Sequence, residues 1–317
     1  MSATPEMITV TLNPAIDRTV TITDFAAGKV NRVEQVQDHP GGKGVNVAVT
    51  LADAGHRVAA TGFLGRENAT SFEDLFARKG IADQFVRIAG RTRVGIKIID
   101  PVRQQTTDIN FPGPAPAPLD LDALRARLAA SPAPWVVLAG SLPPGVAPTL
   151  YRDLIGELRA RGRSVALDTS GEPLAAAITA APRIIKPNIH ELEALIGAPL
   201  PGEAAIIAAA RKLLTAGIEL AVVSMGSAGA LFITASEALR AVPPQVTARS
   251  TVGAGDAMVA GIVAAQARGY DLEATARLAT AFAVDAISRV GAGLGDRATL
   301  ADLARRVAVS VVMPALV

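Results

Sequence analysis

The chain of 317 residues contains no cysteine, so it can form no disulfide and has no thiolate chemistry. Its three histidines, His39, His56 and His190, are far apart and in no metal-ligand spacing, which argues against a zinc centre. Aromatic residues make up only 3%, too few for base-stacking platforms or a Trp-lined lectin groove. The net charge is +2 with no long basic run, and nucleic acid is therefore not expected as a partner. The longest uncharged stretch, between Arg127 and Arg152, carries five prolines and does not read as a membrane span. The first ten residues, MSATPEMITV, have neither a basic segment nor a long apolar one, so the expectation is an unprocessed, cytoplasmic protein. Neither a Walker phosphate loop nor a Rossmann G-x-G-x-x-G is present.

Half the residues are apolar and 19% are charged, as in a globular chain long enough for one large or two modest domains. Short β-branched runs, Ile8–Leu12, Trp135–Leu138, Val165–Leu167, Ile184–Ile185 and Leu220–Val223, alternate with helical segments over Gly44–Gly55, Pro148–Ala160 and the stretches after Gly255 and Asp271. Strand, turn and helix repeated this often predict an α/β fold with a mainly parallel sheet covered on both faces. Ligands in such folds bind at the carboxyl ends of the strands. Two regions depart from this rhythm. From Arg18 to Asp38 and from Arg91 to Asn110 apolar and polar residues alternate, which predicts antiparallel strands with one wet face. They are read as a small sheet projecting from the main body, a lid, a subunit interface, or both.

Two small-residue turns precede helices. Gly41-Gly-Lys-Gly-Val-Asn46 introduces one, and Gly253-Ala-Gly-Asp256 introduces another that is almost free of charge. Free N–H groups and the positive end of the helix dipole make both candidate anion sites. An aspartate at the entrance of a helix can be a simple cap worth about 1 kcal/mol, or a catalytic group held beside those amides.

Taken together, Gly41–Ala48 with Gly55 and Gly65, and Ser250–Asp256 with Ala260-Gly261, resemble the two signatures of the ribokinase-like carbohydrate kinases. The resemblance extends through Asn13–Asp17, Gly140–Gly145, Asp168–Gly171, Lys186–Asn188 and Val223–Gly226. It covers essentially the whole chain and lies in the phosphofructokinase-B branch, nearest to its 1-phosphofructokinase members. The fold it implies is a ribokinase-like αβα sandwich with a small β-sheet lid: a single kinase domain over 1–317, with lid segments at about 13–39 and 88–113.

The activity it implies is ATP-dependent phosphorylation of fructose 1-phosphate at its C6 hydroxyl, giving fructose 1,6-bisphosphate. Fructose 6-phosphate and tagatose 6-phosphate are alternative substrates within the family, and a non-catalytic sugar-phosphate sensor is the alternative from another class. By the same resemblance Asp256 is the general base, and the turn amides of Gly253, Ala254 and Gly255 are the anion hole. Lys186, Asn188, Ser224, Gly226 and Thr251, with Gly253 and Gly255, are placed around the nucleotide. Asn188 and Glu191 share one helix face and are expected to organise Mg²⁺ around the ATP phosphates, although the same pair also reads as an N-cap with its capping-box partner. Asp17, Gly41, Gly42 and Asn46 are expected to line the sugar pocket, and Ser141 the cleft. Lys29 and Arg93, on the two lid segments, are expected to hold the phosphate already on the substrate. Gly95 stands where the branch often has Asn, so one polar contact from the lid is expected to be missing. A homodimer formed through the lid is the expected assembly.

Overall fold

The computed structural model describes residues 4–246, 253–289 and 291–313. The strands of the first half, in chain order, are β1 (Met7–Thr11), β2 (Ala15–Thr21), β3 (Gln35–Gly41), β4 (Val58–Gly65), β5 (Ala82–Asp83), β6 (Val86–Ile88), β7 (Arg93–Asp100), β8 (Gln105–Asn110) and β9 (Trp135–Ala139). Then follow β10 (Ser164–Asp168), β11 (Ile184–Ile185), β12 (Leu220–Ser224), β13 (Ala230–Ile233), β14 (Ala238–Val242) and β15 (Ala308–Met313). The helices are α1 (Lys43–Asp53), α2 (Thr70–Lys79), α3 (Pro118–Ala130), α4 (Leu150–Arg159) and α5 (Gly171–Ile178). They continue with α6 (Ile189–Ile196), α7 (Gly202–Leu214), α8 (Ala254–Ala267), α9 (Leu272–Ile287) and α10 (Arg297–Arg306).

Eleven strands form one sheet in the order β15-β14-β13-β12-β11-β10-β9-β1-β4-β5, with β6 also paired to β4. From β12 to β5 every pairing is parallel; β13, β14 and β15 extend the other end antiparallel. Successive strand residues point to opposite faces, so each apolar run feeds two cores. Trp135, Val137 and Ala139 pack on the side of α1, α2, α8 and α9, whereas Val136 and Leu138 pack on the side of α3, α4 and α7. Burial on both faces explains why these strands carry continuous rather than alternating hydrophobicity. No helix among the described residues is long and apolar enough to cross a membrane.

The four remaining strands form a second sheet, β3-β2-β7-β8. The β2/β3 and β7/β8 pairs are antiparallel, as the alternation predicts, but the central β2/β7 pair is parallel. Each of these two strands leaves the main sheet after one of its own strands, β1 or β6, so both set out in the same direction. On one face Val36, Val20 and Ile98 lie in one cross-strand row, and Ile96 and Ile109 in the next. The opposite face carries Asp17, Thr19, Gln37, His39 and Lys97 along a recess.

Helix α8 is buried continuously from Asp256 to Ala265. It lies so close to α9 that a Cβ at Gly261 would stand 2.6 Å from the Ala279 Cα. Asp256 is its only ionisable residue, because the rest of the helix is core.

Candidate active site

A cleft of about 650 Å³ opens at the carboxyl ends of β1, β9, β10, β11 and β12, and runs under the second sheet. That is the size of an ordinary small-molecule site. One end is built by Asp17 on β2, Arg93 on β7, Asn13, Gly42 and Ser141; the other by Lys186, Asn188, Glu191, Ser224 and Gly226. Between them stand Gly253, Gly255 and Asp256, opposite Lys43 and Asn46 of α1.

Gly253 caps α8 in the left-handed conformation, φ 87°, which glycine adopts without a Cβ penalty. The first-turn amides that follow have no intrahelical acceptor, so the helix presents its positive end to the cleft. Asp256, three residues beyond the cap, is 8% exposed and accepts a hydrogen bond from Asn46 Nδ2 at 2.8 Å. Burial, reinforced by the negative charge of Asp168, pushes its carboxyl up to about 6; the Asn46 hydrogen bond, Lys43 and Lys186 oppose the rise. This carboxylate stays ionised at neutral pH yet sits closer in basicity to a hydroxyl's proton than an exposed one does, which suits a general base.

Asp168, at the end of β10, has a fully buried side chain placed between two ammonium groups. Lys43 Nζ is 3.2 Å from its Oδ2, and Lys186 Nζ is 3.3 Å from its Oδ1. Burial alone would lower the Lys43 pKa, but Asp168, Asp256 and Glu191 together raise it above the usual lysine value. The cleft therefore holds two lysines across one carboxylate, Lys43 from the start of α1 and Lys186 from the end of β11. The sequence reading did not select Asp168 or Lys43 for this part of the site. The signal was an acid closing the apolar run Val165-Ala-Leu-Asp168 in a parallel sheet, where strand ends carry ligands.

At the polar-sheet end, burial raises the Asp17 pKa against the pull of Arg93, Lys97 and His39. Arg93 is half-buried; its Nη1 and Nη2 donate to the Phe111 and Asn13 carbonyls at 3.4 and 3.3 Å, and its Nε has no partner. Burial lowers the Arg93 pKa, with Asp17 opposing. Asn13 Nδ2 donates to Ser141 Oγ at 3.1 Å, which ties Ser141 to this end. Gly95 pairs across the strands with both Asp17 and Asn110. A Cβ there would lie 3.3 Å from Asp17 Oδ1 and 3.6 Å from Asn110 Oδ1, so the amide missing at 95 has another beside it on β8.

At the other end Asn188 caps α6. Its Oδ1 accepts from the Glu191 amide and Glu191 Oε2 accepts from the Asn188 amide, both at 2.8 Å. The capping-box reading of this pair is thus realised, leaving Glu191 Oε1 free of it. Among the described residues no three acidic or histidine side chains converge as a metal cage. Magnesium is ordinarily held by one or two carboxylates, water and substrate phosphates, and Glu191, lining the cleft with Oε1 outside the capping box, fits that arrangement.

The structure brings together most of the residues singled out from the sequence, with Gly41 in the adjoining recess. Lys29 is different: it lies in the exposed loop between β2 and β3 and does not line the cleft. Ala254 opens α8 but packs against the core instead of lining the cleft. Thr251 lies outside the described residues.

The family pattern of the pfkB family carbohydrate kinases matches residues 10–298. A 1-phosphofructokinase of Rhodobacter capsulatus is 48% identical over 314 residues, spanning 98% of this chain and 99% of that protein. The 1-phosphofructokinase of Escherichia coli K12 is 40% identical over 305 residues, with 94% and 96% covered. Among solved structures, phosphofructokinase-2 from Escherichia coli in complex with fructose-6-phosphate superposes with a TM-score of 0.87 at 27% identity, covering 95% of this chain and 98% of that one.

Proposed function

This chain belongs to the pfkB family of carbohydrate kinases, ribokinase-like in fold, and from that premise we propose that it phosphorylates fructose 1-phosphate at the C6 hydroxyl. It is a phosphotransferase with an alcohol acceptor, and its co-substrate as a kinase is ATP. The choice of phosphosugar is supported by the 1-phosphofructokinases that it resembles at 40–48% identity. The observation that carries the mechanism is Asp256, buried at the start of α8, joined to Asn46 and raised to about 6.

In this mechanism Asp17, Asn46, Gly41 and Gly42 hold the sugar hydroxyls, while Arg93 and Ser141 hold the phosphate already present. Asp256 takes the proton of the C6 hydroxyl as that oxygen bonds to the γ-phosphorus of ATP. The bond from phosphorus to the bridging β,γ-oxygen breaks, and ADP leaves with the electron pair. Amides of the Gly253–Gly255 turn, with Lys43 and Lys186, face the charge that spreads over the moving phosphoryl oxygens. Lys186, Asn188, Ser224 and Gly226 line the nucleotide end. Glu191, and Asn188 through water, would hold Mg²⁺, whose chemistry there is to neutralise phosphate charge.

Residues 1–317 act as one kinase unit in which the segments at about 13–39 and 88–113 serve as the lid. The exposed apolar residues of that sheet, Val36 and Ile109, are covered by a second copy in this reading, and Lys29 reaches a phosphate only once the lid is so assembled. A cytoplasmic setting follows from the substrates. ADP release from ATP is to be measured with fructose 1-phosphate, fructose 6-phosphate and tagatose 6-phosphate in parallel. Fastest turnover on fructose 1-phosphate is expected; a preference for either other sugar renames the substrate, and no turnover on any of them favours a sensor.

A further inference from the structure

Residues 291–295, Gly-Ala-Gly-Leu-Gly, lie in the connection between α9 and α10. Gly291 and Ala292 share a recess of about 310 Å³ with Asp17, Asn46 and Gly253, so this segment is a wall at the sugar end. Three glycines in five residues give a wall with high conformational entropy unless something fixes it.

Two carboxylates do so. Asp53 Oδ2 accepts from the Leu294 amide at 3.0 Å, and Asp285 Oδ2 accepts from the Gly295 amide at 2.8 Å. Each carboxylate is itself held by a cation. Lys79 Nζ donates to both oxygens of Asp53, at 2.7 and 2.9 Å, and Arg289 Nη2 donates to Asp285 Oδ1 at 3.0 Å. Gly293 has φ 122°, and a Cβ there would collide with Asp53 Oδ2. Leu294, between the two tethers, is seated in the main core.

The tethers sit on informative helices. Asp53 ends α1, the helix that brings Asn46 to Asp256, and Asp285 lies on α9, which packs closely on α8 at Gly261. The wall is thereby referenced to the same two helices as the reacting groups.

We propose that Asp53 and Asp285 are positioning residues, which fix the Gly291–Ala292 wall against the phosphosugar and so set its KM and not the rate of transfer. This rests on the reading of that recess as the sugar end. Steady-state ADP release is compared for wild type, Asp53→Ala, Lys79→Met and Gly293→Ala, with Tm recorded for each. Asp53→Ala raises the phosphosugar KM by about tenfold, the scale of a lost hydrogen bond to a charged group, with kcat and the ATP KM within about twofold. Lys79→Met frees Asp53 but keeps its bond from Leu294, so it lowers Tm and raises the phosphosugar KM by clearly less than Asp53→Ala. Gly293→Ala displaces the wall without touching either cation, reproduces the KM effect, and serves as the test should Asp53→Ala not fold.

Lowered Tm with unchanged phosphosugar KM in both Asp53→Ala and Gly293→Ala would reduce the tethers to struts and overturn the proposal. So would an equal KM change in Lys79→Met. Absence of wild-type turnover on any phosphosugar is a different failure, of the sugar-site reading itself.

Discussion

The eleven-stranded sheet and the four-stranded sheet face one cleft with opposite constructions. All five residues of β9 are buried, and all six of β8 are exposed. Each face of the large sheet feeds an extensive core, whereas the small sheet closes only over Val20, Ile22 and Ile98 with Phe25 and Ile96 beside them. Apolar burial contributes roughly 25 cal/mol per Å², so these two regions differ greatly in what holds them. Elements with few buried contacts open locally at low free-energy cost. The groups proposed to handle the phosphoryl, Asp256, Asp168 and Lys186, sit on the first region; those proposed to recognise sugar and phosphate, Asp17 and Arg93, sit on the second. In this proposal chemistry is built on the deeply packed region and recognition on the lightly packed one.

The largest effect that tests this division is at Asp256. Asp256→Asn is expected to lower kcat by about 10²–10⁴, the usual worth of a general base, with ATP affinity kept. Its stability should move the other way. Between about pH 4, the ordinary aspartate value, and about pH 6 the folded chain binds more protons at this site than the unfolded chain. Stability therefore falls as pH rises through that window, and at neutral pH ionised Asp256 is a cost. Removing the charge should stabilise the fold by about 3 kcal/mol, seen as a higher urea midpoint at pH 7 and no gain at pH 4. Loss of both activity and stability would mean that this carboxylate is a structural cap.

Next in size, Leu138→Ala in β9 should cost about 2–5 kcal/mol, read as a lowered urea midpoint. Ile98→Ala in the small sheet, where the surroundings can collapse, should sit at or below the bottom of that range while raising the phosphosugar KM. Equal losses from the two would erase the contrast. Arg93→Ala is expected to raise the phosphosugar KM by about tenfold or more through one lost charged hydrogen bond, leaving the ATP KM alone. Smaller still, kcat/KM should fall with acidification below about pH 6, as Asp256 protonates, and this limb should be absent from the residual activity of Asp256→Asn.

The same contrast governs how much could be seen in the sequence. Runs such as Trp135-Val-Val-Leu and Leu220-Ala-Val-Val announce strands buried on both faces, and alternation over Thr106–Asn110 announces a one-sided sheet. The parallel β2/β7 pairing was not legible, because register between strands about eighty residues apart is set by how each leaves the main sheet. Nor was β15, whose Val309-Ser-Val-Val alternation acquires meaning only from its antiparallel neighbour β14. At the site, Gly-Ala-Gly-Asp256 was visible as a local turn before a helix. Asp168 was not, since its importance comes from two lysines that the chain supplies 125 residues earlier and 18 later. Lys29 shows the converse: a cation prominent in the sequence that, within one copy of the chain, lies in an exposed loop and does not line the cleft.

Gly261 gives the deeply packed region a further property. With its backbone nearly touching that of Ala279, α8 has no slack toward α9, and position 261 is about 7.5 Å along the helix axis from residue 256. A single methyl added there would act as a wedge under a lever, tilting the far end on which the carboxylate rides. Gly261→Ala should thus lower kcat while every group proposed to meet sugar or nucleotide remains in the chain, so that in this proposal the aim of the base depends on a buried hydrogen atom that touches no reactant.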